Sequence, residues 1–125
     1  MTKKKKDKLI VTAGDYDLVN SEDLKFLEKC KSKGDWLIVG LHSDMQVYLR
    51  CNTIYNNYEE RQSLLSGLRP VDEVLKFDDS KGNYCNLLKT VKLVYPNSDI
   101  IFVTKHDLLD TPERKIRGIT FEVIS

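Results

Sequence analysis

The sequence predicts an α/β fold: a doubly wound, mostly parallel, five-stranded Rossmann-like sheet with helices on both faces. Short apolar runs rich in β-branched residues recur at positions 9–13, 36–41, 71–77, 100–103 and 119–124. Most of the segments between them return their apolar residues at helical spacing, and that alternation is the pattern of a parallel sheet crossed by helices. The first strand, helix and strand also fit into fewer than forty residues, which is the length of a βαβ unit with a right-handed crossover.

Leu9–Ala13 reads as a buried strand bounded by Gly14. A helix follows, with Ser21 as its expected cap and Glu22 and Asp23 placing negative charge in its first turn. Leu24 and Leu27 lie on one side of it with Phe26 and Cys30 beside them, and Gly34 is its expected stop. Trp36–Leu41 is continuously apolar, as an interior parallel strand is. Met45–Leu49 reads as a short helix and Arg50–Asn57 as a polar loop. Tyr58–Leu68 reads as a helix burying Leu64, Leu65 and Leu68, and Pro70 ends it. Val71–Phe77 is the third strand. Tyr84–Tyr95 is a helix turning Leu87, Leu88, Val91 and Val94 inward, broken by Pro96 and Asn97. Ile100–Val103 and Ile119–Ile124 complete the sheet.

The 125 residues suit a single domain over 9–125 behind a basic, flexible tail over 1–8. A net charge of +1 gives no global field toward nucleic acid or an acidic membrane, and no apolar run is long enough for a signal peptide or a span. The run Lys3–Lys6 is either a solvated tail or a weak contact for nucleic acid or lipid. Cys30, Cys51 and Cys85 are odd in number and share no metal spacing, which points to reduced thiols and a cytoplasmic setting.

Ligands of doubly wound sheets sit beyond the carboxyl ends of the strands, where the strand order reverses. Gly14–Asp23, His42–Asn52 and Thr104–Asp107 are therefore expected around one crevice. Gly14 and Asp17 either line a ligand site or shape the turn. Asp15, Glu22 and Asp23 either hold a cation or cap and solvate the helix start, and the absence of a glycine-bearing calcium loop favours capping. His42 and His106 either donate to a phosphate or bond within loops. Tyr48, Tyr55 and Tyr58 either stack on a base or pack.

The opening LIVTAGDYDLVNSED, the segment GDWLIVG with Ser43-Asp44, Tyr58-Glu59-Glu60-Arg61, Val71-Asp72-Glu73-Val74, and Phe102-Val103 with His106-Asp107 span nearly the whole chain. Together they resemble the small nucleotidyltransferases of the cytidylyltransferase type, and the His-Asp turn resembles the glycerol-phosphate cytidylyltransferase branch. The resemblance implies transfer of a nucleotidyl group from CTP or ATP to a phospho-alcohol or phospho-sugar with release of pyrophosphate, Mg²⁺ as cofactor if the chain is active, and a possible homodimer. It assigns nucleotide-binding positions to Gly14, Asp17, Asp44, Arg50, Arg61, His106 and Asp107, with Arg50 standing at the family's loop lysine.

The resemblance also exposes departures. The family's His-x-Gly-His pair donates to the triphosphate at a helix start, where free N–H groups and the dipole already attract phosphate. Here those two histidine positions hold Asn20 and Asp23, and Glu22 replaces the glycine. Asp15 stands where the family has a small hydroxyl residue, and Lys105 where it has a glycine. No counterpart of the family's later Arg…Ile-Ser-Thr segment is read within these residues. The expectation is therefore a degenerate, non-catalytic nucleotidyltransferase fold acting as a nucleotide-binding or protein-interaction module, with no membrane or nucleic-acid partner. The alternative is an active, divergent transferase using Arg50, Arg61 and His106.

Overall fold

The computed structural model describes residues 7–106 and 111–124. Five strands form one sheet: β1 (Lys8–Gly14), β2 (Trp36–Leu41), β3 (Glu73–Lys76), β4 (Asp99–Thr104) and β5 (Ile119–Val123). Their order is β3-β2-β1-β4-β5, and all four pairings are parallel. The fold is Rossmann-like, and the chain reverses its direction of travel across the sheet between β1 and β4.

Alternate residues of the strands feed two cores. Leu9, Val11, Ile38, Ile100 and Phe102 pack with Leu87, Leu88 and Val91 of α4 (Cys85–Val94) on one face. Ile10, Leu37, Val39 and Val103 pack on the other, against Phe26, Leu27 and Cys30 of α1 (Ser21–Lys31) and Leu65 of α3 (Tyr58–Ser66). This two-residue alternation is the geometry of a pleated strand covered on both sides. The Cys30 thiol lies in the second core, and burial pushes it up to about 12.

Element ends differ from the sequence expectation for local reasons. The cap of α1 is Asn20, not Ser21. Asn20 Oδ1 accepts from Asp23 N at 3.0 Å, and Asp23 Oδ2 accepts from Asn20 N at 3.1 Å, a reciprocal capping box. The helix stops at Lys31, ahead of Gly34. Gly34 answers a different need: a Cβ there would lie 2.8 Å from the Lys8 carbonyl oxygen. Helix α2 runs over Asp44–Cys51, longer than expected, because Ser43 caps its start and Asn52 closes it in the left-handed conformation. Arg50 thus sits in a helix, not a loop. Helix α3 ends at Ser66 and leaves Leu64 exposed, while Leu65 is buried. Strand β3 is shorter than expected because Val71 N bonds the turn at Leu68 O and Asp72 N bonds Leu37 O. A 3-10 turn at Pro112–Lys115 went unforeseen.

Candidate functional site

A cavity of about 460 Å³ opens beyond the carboxyl ends of β1 and β4, where the strand order reverses. Residues 12–18 form one wall, Thr104, Lys105 and His106 another, and Asp23, Phe26, Arg50, Tyr84 and Phe102 complete the lining.

The turn after β1 is built around Tyr16, whose φ of 47° is uncommon for a residue with a side chain. Its ring folds back over Gly14, where a Cβ would meet it at 2.7 Å, so the glycine makes room for the ring. Burial raises the Tyr16 phenol well above its ordinary value, keeping it a neutral hydroxyl. The Asp17 carboxylate is committed to loop amides: Oδ2 accepts from Tyr55 N at 2.9 Å and Oδ1 from Asn56 N at 2.7 Å.

Every charged side chain of the turn and helix start has a partner. Arg50 Nη2 stands 3.1 Å from Asp15 Oδ1. Asp23 closes the capping box and faces Lys105 Nζ at 4.0 Å. The lysine also lies over the face of Phe26, 4.9 Å from the ring centre. Asp23 and Lys105 therefore face each other across the crevice mouth. The start of α1 is filled by the chain's own carboxylate, and its dipole is already answered.

Arg61 lies beneath the site. Its side chain is wholly buried; it donates to Asn56 O at 3.0 Å, Asp15 O at 2.9 Å and Asp44 Oδ1 at 2.7 Å. Arg61 and Asp44 stand outside the cavity lining, whereas Gly14, Asp17, Asp23, Arg50 and His106 belong to it. His106 is exposed, and its carbonyl accepts from Thr104 Oγ1 at 2.5 Å. Asp107 falls outside the described residues, as does the Lys3–Lys6 run.

Sequence reasoning missed the back wall. His42 is buried; its Nδ1 lies 3.1 Å from Asp79 Oδ2 and its Nε2 3.4 Å from the Tyr84 hydroxyl. Asp79 also accepts from Ser43 N at 2.7 Å and Ser43 Oγ at 2.9 Å. His42 thus turns inward, away from any phosphate. Burial pulls its pKa below the ordinary value, against the opposing pull of Asp79.

Among the described residues, no group of three or more His, Cys, Asp or Glu side chains stands ready for a metal ion. Asp15, Asp17 and Asp23 are committed to Arg50, loop amides and the capping box, so these residues do not fit a protein-held Mg²⁺. No described helix is long and apolar enough to cross a membrane.

The family model for cytidylyltransferase-like proteins matches residues 11–123. The chain belongs to this family. It is 39% identical over 74 residues to the bifunctional protein HldE of Wolinella succinogenes, covering 58% of this chain and 16% of that protein. It is 35% identical over 68 residues to the glycerol-3-phosphate cytidylyltransferase of Bacillus subtilis, covering 54% of this chain and 53% of that one. The chain therefore spans about half the length of one cytidylyltransferase-like relative and less than a fifth of the other. A lipopolysaccharide core biosynthesis protein from Thermoplasma volcanium shares the fold with a TM-score of 0.69 at 22% identity, over 96% of this chain and 97% of that one.

Proposed function

We propose that this cytidylyltransferase-like chain is non-catalytic and serves as a nucleotide-binding or protein-interaction module. The reading rests on the Asn20–Asp23 capping box. A transferase of this type needs open donors at the start of α1 where charge builds on the triphosphate, and here a carboxylate occupies that place. Removing one such donor lowers a rate by about 10²–10³; here both histidine positions are changed and a negative charge is added. The aromatic lining and the preserved crevice support ligand binding without turnover. The test is pyrophosphate release from CTP or ATP, with phospho-alcohols and phospho-sugars as acceptors and Mg²⁺ present. Turnover above the buffer blank defeats the proposal.

A second reading, an active divergent transferase, draws on Arg50, Lys105 and His106 lining one cavity. It requires Arg50→Ala to abolish pyrophosphate release; retained activity removes it. A homodimer is supported by the exposed Met45, Tyr48 and Leu49 on α2, and sedimentation of the purified chain decides it. Three free thiols support a cytoplasmic setting.

A further inference from the structure

Asp79 Oδ2 accepts from a backbone N–H, that of Ser43. A backbone amide only donates, so this oxygen is an acceptor, and His42 Nδ1 carries the proton that meets it. A neutral imidazole then has a bare Nε2, and the Tyr84 hydroxyl supplies the proton along that edge. The phenol oxygen keeps a lone pair free to accept, and Tyr84 is among the residues that line the cavity. The ring is held firmly: its centre lies 5.4 Å from His42 and 5.5 Å from Phe102, and its backbone N–H donates to Glu113 Oε2 at 2.8 Å.

The charges around it cancel. Asp15 faces Arg50, Asp23 faces Lys105, and Asp17 is spent on loop amides. The crevice offers a ligand aromatic surface from Tyr16, Phe26 and Phe102 and the Tyr84 acceptor, with the exposed His106 and the Thr12 and Thr104 hydroxyls elsewhere in its lining. We infer that Tyr84, positioned by the Asp79–His42 dyad, is the ligand-reading group of the crevice, taking a hydroxyl or amine donor from an uncharged, nucleoside-class ligand. This deepens the binding-module reading and rests on it. It also gives the crevice a polarity tied to His42. Once the imidazole is protonated, Nε2 becomes a donor, the phenol turns its own proton toward the cavity, and a ligand donor meets a donor. The charged and titratable groups around His42 are Asp79 from the loop after β3, Arg50 on α2, Asp15 in the turn after β1, and Tyr84 itself.

The test is calorimetry at pH 7.5 with cytidine, adenosine, CTP and ATP, on the unmodified chain and on Tyr84→Phe, which keeps the ring and its packing. One nucleoside is expected to bind at least as well as its triphosphate, and Tyr84→Phe is expected to weaken it by about three- to tenfold, the effect of one neutral hydrogen bond. A triphosphate binding more than tenfold tighter than its nucleoside, or equal affinity in Tyr84→Phe, overturns the inference and leaves the module reading standing. No binding by any of the four overturns both for nucleotides. A second readout is the His42 ring signal in NMR, which is expected to shift when the nucleoside is added; a signal that stays in place under saturating ligand overturns the dyad's role.

Discussion

Asp23 carries three duties at once: it closes the cap of α1, faces Lys105, and places a carboxylate at the crevice mouth. Asp23→Asn keeps a hydrogen-bonding side chain and removes the charge. CTP affinity is expected to rise about fivefold at low salt, since unit charges about 4 Å apart interact by about 1 kcal/mol even in water. Titration calorimetry of the two proteins checks this, and equal affinities would refute the charge argument. His42 makes a second residue-scale prediction. Its pKa is lower in the folded chain than the ordinary value of about 6.5. The folded state therefore binds fewer protons than the unfolded one, and the contribution is complete above that ordinary value. It drains away as pH falls through the lowered folded value. Melting temperature is expected to drop on the acid side in the unmodified chain, with a shallower slope in His42→Gln.

The strands were legible at the scale of the element because interior parallel strands need unbroken apolar runs, and β1, β2 and β4 have them. Helix ends were less legible, since caps depend on which side chain reaches back. Asn20 won over Ser21 because Asp23 stands three residues on and closes the box from both sides. Asn20→Ala is accordingly expected to destabilise the domain by about 1 kcal/mol in urea denaturation; no shift in midpoint would mean that the box is idle. Gly34 looked like a helix stop, yet its neighbour is the backbone of β1. Gly34→Ala forces the Lys8 main chain as well as the Ile10 side chain to shift, and a loss of about 1–3 kcal/mol is expected. The back wall was illegible for a different reason. Asp79 and Tyr84 lie 37 and 42 positions from His42, and no local pattern joins residues that only the sheet brings together.

At the scale of the whole molecule, Arg61 binds three segments into one block: the turn after β1, the start of α2 and the loop before α3. The family-like Glu-Glu-Arg run showed the residue but not its burial, because a cation at a helix start reads equally as a ligand for phosphate. Arg61→Met is expected to cost about 2–4 kcal/mol, with two carbonyls left without donors and the Asp44 carboxylate, half exposed, returned to water. Circular dichroism through a urea series measures it. The two cores make a separate forecast for the thiols. Cys30 is fully buried with its pKa raised, whereas Cys51 is exposed. A maleimide is expected to modify Cys51 in the native chain and to reach Cys30 only after denaturant is added.

The turn at Asp15 is gripped from two sides. Its carbonyl is held from below by the buried Arg61, and its carboxylate is met from above by the surface-reaching Arg50. The lower grip does not depend on the upper one. Displacing Arg50 would therefore leave the backbone beneath in register, so the lip of the crevice keeps its shape. Rotating one long side chain is a nanosecond event, whereas opening a loop takes far longer. Association with this crevice should then be limited by encounter and orientation, single-phased in a stopped-flow trace, with no slow closing step behind it.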